Sequence, residues 1–203
     1  MYGLINQGLH DLAVQTGGEE LWREIKLSAG VGLEAFVGMD TYPDDVTYRL
    51  VETTSAAMGI SPAEVLRAFG KHWILYTARR GYGAIFDTMG RSLPAFLANL
   101  DTMHARLSLS MPEMRPPSFV CEQLGDNQIR LEYWSERVGL APMVVGLLEG
   151  LGEMYGVTVS VDQSVDRAHG ADHDEFVIDY VATTTTDSVR NAEGRHAVVA
   201  SDA

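Results

Sequence analysis

Apolar residues in the first half of the chain recur every three or four positions, the spacing of a helix with one buried face. Leu4, Ile5, Leu9, Leu12 and Val14 form a first stretch that Gly17-Gly18 stops. A second runs from Glu19 to Ala29 through Leu21, Trp22, Ile25 and Leu27. Another helix is expected from Asp44 to Met58, where the Asp44-Asp45 pair suits a helix start. Ser61-Pro62-Ala63-Glu64 reads as a capping box with proline at the first helical position. It opens a helix through Val65, Leu66, Phe69, Trp73 and Tyr76, which Arg80-Gly81-Tyr82-Gly83 is expected to end. A short helix can follow at Ala84 to Met89. One helix is then expected from Ser92 to about Ser110, with Leu93, Phe96, Leu97, Leu100, His104 and Leu107 on one face.

Arg115-Pro116-Pro117 breaks that mode, and the period falls toward two. Ser118 to Leu124 and Gln128 to Ser135 read as strands around a Gly125-Asp126-Asn127 turn. Leu140 to Tyr155 is apolar nearly all round, so this helix should be covered on more than one side. Val157 to Val161 and Glu175 to Val181 are two further strands, joined by an acidic loop containing histidines. The predicted fold is α+β: a helical N-terminal half, then an antiparallel four-stranded sheet with packed helices, and a pocket between the halves. Residues 1–182 form one domain in this reading, and the polar, aperiodic residues 183–203 a disordered tail.

The chain has 203 residues, enough for a sizeable core. Its net charge of −13 argues against a nucleic-acid footprint and against anionic membranes. No apolar run is long enough for a membrane helix and no signal peptide opens the sequence, so a soluble cytoplasmic protein is expected. A single cysteine, Cys121, excludes an internal disulfide and any multi-cysteine zinc site. With Glu122 beside it, Cys121 reads as a packed, inert thiol.

Two features carry candidate chemistry. Tyr133, Ser135 and Arg137 stand at alternate positions, so a strand would present two hydroxyls and a guanidinium in a row roughly 13 Å long. Such a row suits a ligand with two carboxylates, since Arg grips one bidentately and the hydroxyls add donors. An ordinary polar edge-strand face has the same pattern. The second feature is His104, an imidazole on an apolar helix face. It is either a core histidine bonded to a carbonyl or a neutral metal ligand in an apolar pocket.

Taken with Met1-Tyr2-Gly3-Leu4-Ile5-Asn6, Tyr42-Pro43-Asp44-Asp45-Val46-Thr47-Tyr48, Arg115-Pro116-Pro117-Ser118-Phe119 and Gly139-Leu140-Ala141-Pro142-Met143, these residues resemble the heme-nitric oxide/oxygen binding (H-NOX) family. That family is the bacterial relative of the soluble guanylate cyclase heme domain, and the resemblance covers residues 1 to 182. It implies a non-covalent b-type heme, and no Cys-x-x-Cys-His is present. It implies His104 as proximal iron ligand and Tyr133, Ser135 and Arg137 as the propionate grip. Pro117 would press on the porphyrin, and Ile5, Leu9, Trp73, Met143 and Leu147 would line the pocket. Oxygen-binding members place a tyrosine over the ligand; the matching position here, Met143, offers no donor. The resemblance therefore implies a sensor of nitric oxide and carbon monoxide that excludes O₂. It signals by release of His104 to a histidine kinase or a diguanylate cyclase.

Other readings stay open. The Trp73 indole could donate to bound O₂. A heme enzyme of peroxidase type would need a distal histidine or arginine, for which His72 is the one histidine near the pocket. A heme-free cavity for a small apolar molecule is the third. His169-x-x-x-His173 has a metal-pair spacing, but Gly170 and the acidic neighbours suggest an exposed loop instead.

Overall fold

The structure, a computed structural model, describes residues 1–183. The expected disordered tail lies outside the described residues, save for Thr183. Among the described residues, seven α-helices precede or interleave with four strands, and the helical half with its following antiparallel sheet is the α+β arrangement that the periodicity predicts.

Helix α1 spans Gly3–Ser28 and is kinked where Gly18 takes φ 76°, a backbone state open mainly to glycine. The sequence break at Gly17-Gly18 is therefore a bend within one element. Helix α2 spans Asp44–Met58 and α3 Pro62–His72. The Ser61 hydroxyl accepts from the Glu64 amide at 3.2 Å while the Ser61 amide donates to Glu64 at 2.8 Å, completing the capping box.

Past His72 the chain departs from expectation. Arg80-Gly81-Tyr82-Gly83 does not end the helical run. A π-helical turn at Trp73–Ala78 leads directly into α4, Arg79–Asp87. Glycine weakens a helix by only about 1 kcal/mol, which flanking turns can outweigh. The single helix expected from Ser92 to Ser110 is two: α5 at Leu93–Ala98 and α6 at Leu100–Ser110. The break has a local cause. The Asn99 side-chain amide donates to the carbonyls of Ala95 and Met89 at 2.9 and 3.1 Å, holding its own backbone off helical geometry.

Strands β1 (Ser118–Gly125) and β2 (Gln128–Trp134) form the expected hairpin. Helix α7 spans Ala141–Tyr155, β3 Val157–Val165 and β4 Asp174–Ala182. The sheet order is β1-β2-β4-β3, antiparallel throughout. On β2, Ile129, Leu131 and Tyr133 point inward and Arg130, Glu132 and Trp134 outward, the alternation a half-covered sheet requires.

Two apolar cores result. One lies under the sheet, around Phe96, Leu131, Leu148, Phe176 and Ile178; the other lies in the helical half, around Leu9, Ile25, Leu50, Val65 and Phe69. Trp73 touches both. Helices α3 and α7 join them at unusually short range. A β-carbon on Gly146 would sit 1.9 Å from the Arg67 carbonyl oxygen, and one on Gly70 2.2 Å from that of Met143. Backbone meets backbone there, so neither position can give way by rotating a side chain. Gly146→Ala should therefore cost about 1–3 kcal/mol. At roughly 2–4 °C per kcal/mol for a chain of this size, thermal unfolding followed by circular dichroism should show a clear drop in midpoint. Gly81→Ala, where an added β-carbon meets nothing within 4 Å, should show none.

Candidate functional site

A cavity of about 740 Å³ separates the two cores, a size suited to a prosthetic group or drug-sized ligand. Its walls are mainly apolar: Ile5, Leu66, Trp73 and Met143 from the helical side, and Phe96, Leu100, Met103, Leu107 and Phe119 from the other. Pro116 and Pro117 border it, as do Leu140, Val144 and Leu147. Of the residues that sequence reasoning assigned to the pocket, Leu9 alone is elsewhere. It is buried in the helical core with 2% of its surface exposed, because it lies on the face of α1 turned to that core.

His104 enters from α6. Its Nδ1 lies 3.0 Å from the Leu100 carbonyl, one turn earlier. A carbonyl only accepts, so Nδ1 carries the proton and Nε2 keeps its lone pair. Burial pushes the imidazole below its ordinary pKa, against smaller upward effects of the Leu100 carbonyl and Asp101, so the ring is neutral at neutral pH. The ring stacks on Phe119, with centroids 5.6 Å apart and planes 17° apart. The Phe119 amide in turn donates to Asp101 on α6 at 2.9 Å. Helix α6 is thus tied to Phe119 of β1 at two points, Asp101 and His104. Both sequence alternatives for this histidine meet here: it is bonded to a carbonyl, and that bond leaves a metal-competent nitrogen at a cavity wall.

Tyr133, Ser135 and Arg137 all line the cavity, but they are not one strand row. β2 ends at Trp134. The Arg137 amide donates to the Ser135 hydroxyl at 3.1 Å, a local bond that turns the backbone out of the ladder. Arg167 from the β3–β4 connection fastens this turn through the Ser135 and Arg137 carbonyls. Burial raises the Tyr133 phenol above its usual pKa, with a hydrogen bond to Ser135 opposing, so it stays a protonated donor.

The cluster at the rim was not legible beforehand. Asp44, read as a helix starter, accepts from Arg137 Nε at 2.8 Å and from the Met1 ammonium at 2.6 Å. Arg137 Nη2 also reaches Asp44 at 3.4 Å, its Nη1 donates to the Arg115 carbonyl at 2.9 Å, and the Tyr48 hydroxyl donates to the Val138 carbonyl at 3.0 Å. Only spatial proximity reveals Asp44 in this role, since it stands far from Arg137 in sequence.

The donor set fits a heme. The walls match an apolar macrocycle, one neutral imidazole presents a lone pair, and a guanidinium, a phenol and a hydroxyl at the rim match carboxylates. Arg137 has five N–H groups, three of them committed, which leaves donors for an anion. His72 is not among the residues lining the cavity: it is buried, and its ring stacks on Tyr76 with centroids 4.8 Å apart.

Burial disfavours the charged form of Asp44, but hydrogen bonds from the Met1 ammonium and Arg137 outweigh it and hold its pKa below the usual carboxylate value. Its folded pKa is thus below its unfolded one, about 3.9. The stabilisation is present above that pH and is lost as pH falls through the folded value. Asp44→Asn should therefore cost the heme-free chain about 0.5–1 kcal/mol at pH 7. It should also flatten the loss of stability below about pH 4, as read by urea unfolding across the acid range.

The profile of the Haem-NO-binding family matches residues 2–163. The soluble guanylate cyclase gcy-35 of Caenorhabditis elegans is 29% identical over 197 residues, covering 95% of this chain and 28% of the cyclase. The guanylate cyclase soluble subunit beta-2 of Rattus norvegicus is 31% identical over 120 residues, covering 56% of this chain and 18% of that one. The chain therefore spans under a third of these relatives. Among solved structures, an H-NOX protein from S. oneidensis in the Fe(II)NO state superposes with a TM-score of 0.82 at 21% identity, covering 89% of this chain and 99% of that one. The unliganded Fe(II) H-NOX protein from K. algicida gives 0.77 at 20% identity, covering 89% and 97%. These likenesses establish the fold. With the profile spanning most of its length, this chain belongs to the Haem-NO-binding (H-NOX) family of heme-based gas-sensor domains.

Proposed function

We propose that the chain is a heme-based sensor of nitric oxide that also takes carbon monoxide and excludes O₂. The observation that carries this reading is a neutral His104, bonded through Nδ1 to the Leu100 carbonyl, in the wall of a mainly apolar cavity whose rim holds a guanidinium. A non-covalent b-type heme supplies the ferrous iron at which a diatomic gas binds. His104 holds that iron, while Arg137, Ser135 and Tyr133 hold the propionates; Pro117, Ile5, Trp73, Met143 and Leu147 pack on the ring.

Gas preference follows from the opposite wall. Met143, Val144, Leu147 and Leu140 offer no hydrogen-bond donor among their side chains. Bound O₂ carries partial negative charge and gains from a donor; NO needs none. Trp73 is one donor on the helical side that could reverse this. Its ring packs edge-on against Phe69, with centroids 5.9 Å apart, and lies close to Gly8. That packing supports a structural role for the indole. His72, the histidine a peroxidase reading would call on, is not among the described residues that line the cavity.

His104 is the switch in this account. With heme bound, His104 would hold the iron, and NO would weaken that hold, so that α6 would no longer be kept toward the cavity. Because Asp101 and His104 both engage Phe119, a shift of α6 pulls on β1. The difference in NO affinity between the two arrangements drives the change. The output passes to a catalytic partner, a histidine kinase or a diguanylate cyclase. The guanylate cyclases among the relatives support a nucleotide cyclase as the class.

Absorption spectra of the reduced protein test the reading. Added NO should yield a five-coordinate nitrosyl spectrum, and air should leave the ferrous spectrum unchanged. A six-coordinate nitrosyl form would remove the release step, and a stable oxy spectrum would remove the gas preference. Arg137→Ala should speed heme transfer to apomyoglobin by about tenfold, since a charge-assisted hydrogen bond contributes roughly 1.5–3 kcal/mol. An unchanged transfer rate would contradict the propionate assignment.

A further inference from the structure

The outer face of the sheet carries a second donor set, on the side of β2 turned away from the cavity. Glu132 on β2 and Glu175 on β4 are direct register partners. Like charges placed opposite each other across an antiparallel pair repel, so this arrangement needs a counter-charge. Arg130 supplies part of one, 3.7 Å from Glu175, but it is shared with Glu122. His173 stands just before β4 and completes a group whose ligand atoms all lie within 4.8 Å of one another. His173 and Glu175 keep only 19% and 17% of their side-chain surface exposed.

Each of the three is oriented by a neighbour. The Trp134 ring stacks on His173 with centroids 4.3 Å apart and planes 13° apart, while its indole N–H donates to Glu132 at 3.0 Å. The Ser164 hydroxyl donates to Glu175 at 2.6 Å. Asp172 lies 2.6 Å from His173 Nδ1. A carboxylate accepts there, so Nδ1 is the donating nitrogen and Nε2 the one available for coordination. Carboxylate, imidazole and metal in line is the usual way a histidine is fixed for coordination. His169 belongs to a different pair: it turns to Asp166 at 2.7 Å and is 85% exposed, so the His-x-x-x-His spacing is not the site.

We infer that Glu132, His173 and Glu175 bind a divalent transition metal of the zinc class, with water completing the shell. One imidazole with two carboxylates suits zinc better than calcium or magnesium, which take oxygen donors. A tetrahedral zinc spaces its ligands at about 3.4 Å, which modest rotation of the two glutamate side chains supplies. The metal cancels the cross-strand repulsion and pins β2 to β4 directly behind Tyr133. It is a site separate from the cavity and does not depend on heme being there.

The test uses the tag-free full chain, stripped with a chelator and dialysed against Zn²⁺, with zinc and iron counted separately by atomic emission. The wild type should retain one Zn²⁺ per chain and raise its unfolding midpoint on binding. Co²⁺ in its place should give visible d–d bands. His173→Ala and Glu175→Gln should each weaken Zn²⁺ at least tenfold, with unchanged far-ultraviolet circular dichroism as the folding control. His169→Ala should change nothing. The inference is overturned if the wild type retains no zinc, if His173→Ala retains it equally, or if His169→Ala loses it.

Discussion

One hydrogen bond sets the chemistry of this molecule: the contact between the His104 Nδ1 and the carbonyl of Leu100 one turn earlier. It fixes the tautomer, and the tautomer fixes where the lone pair points. Burial keeps the ring uncharged, and Phe119 keeps it in plane. Without that bond the ring could spin, and a neutral nitrogen facing a cavity would be one orientation among several.

The rest of the fold gives that nitrogen a space to face. Two cores form separately, and the contact of α3 with α7 through Gly70 and Gly146 draws the helical half against the sheet half at backbone distance. That contact closes one end, leaving a gap between the cores beside it. The other end is closed by charge rather than packing. Asp44 bridges the Met1 ammonium and Arg137, and Arg167 fastens the turn carrying Ser135 and Arg137. An apolar interior with a charged rim is thus assembled from elements that lie far apart in the chain. The ties between α6 and β1 make the imidazole a mechanical part of the sheet's edge as well as a cavity wall.

The fold class and most element positions were legible in the sequence because the driving periodicities are local. The switch from period near four to period two after Pro117 marks the passage from helices to sheet. Failures came where a side chain or a neighbouring turn overrode the pattern. Asn99 splits a helix by bonding backward, and the π-helical turn at Trp73–Ala78 carries helix through glycines that read as a stop. Leu9 packs in the helical core, and a helix with two apolar flanks does not announce which one meets the cavity. Ser135 and Arg137 were read as strand residues, yet they lie in the turn after it; their convergence on the cavity survives the change in geometry. Asp44 and the outward Glu132–Glu175 pair depend on contacts between distant segments, and no spacing rule exposes them.

The most direct measurement of the central claim is resonance Raman spectroscopy of the reduced, heme-loaded protein, read in the iron–histidine stretching region. The account predicts an iron–imidazole band in the wild type that vanishes in His104→Gly and returns when free imidazole is added. A protein that takes up no heme, or a band that survives the loss of His104, would contradict it.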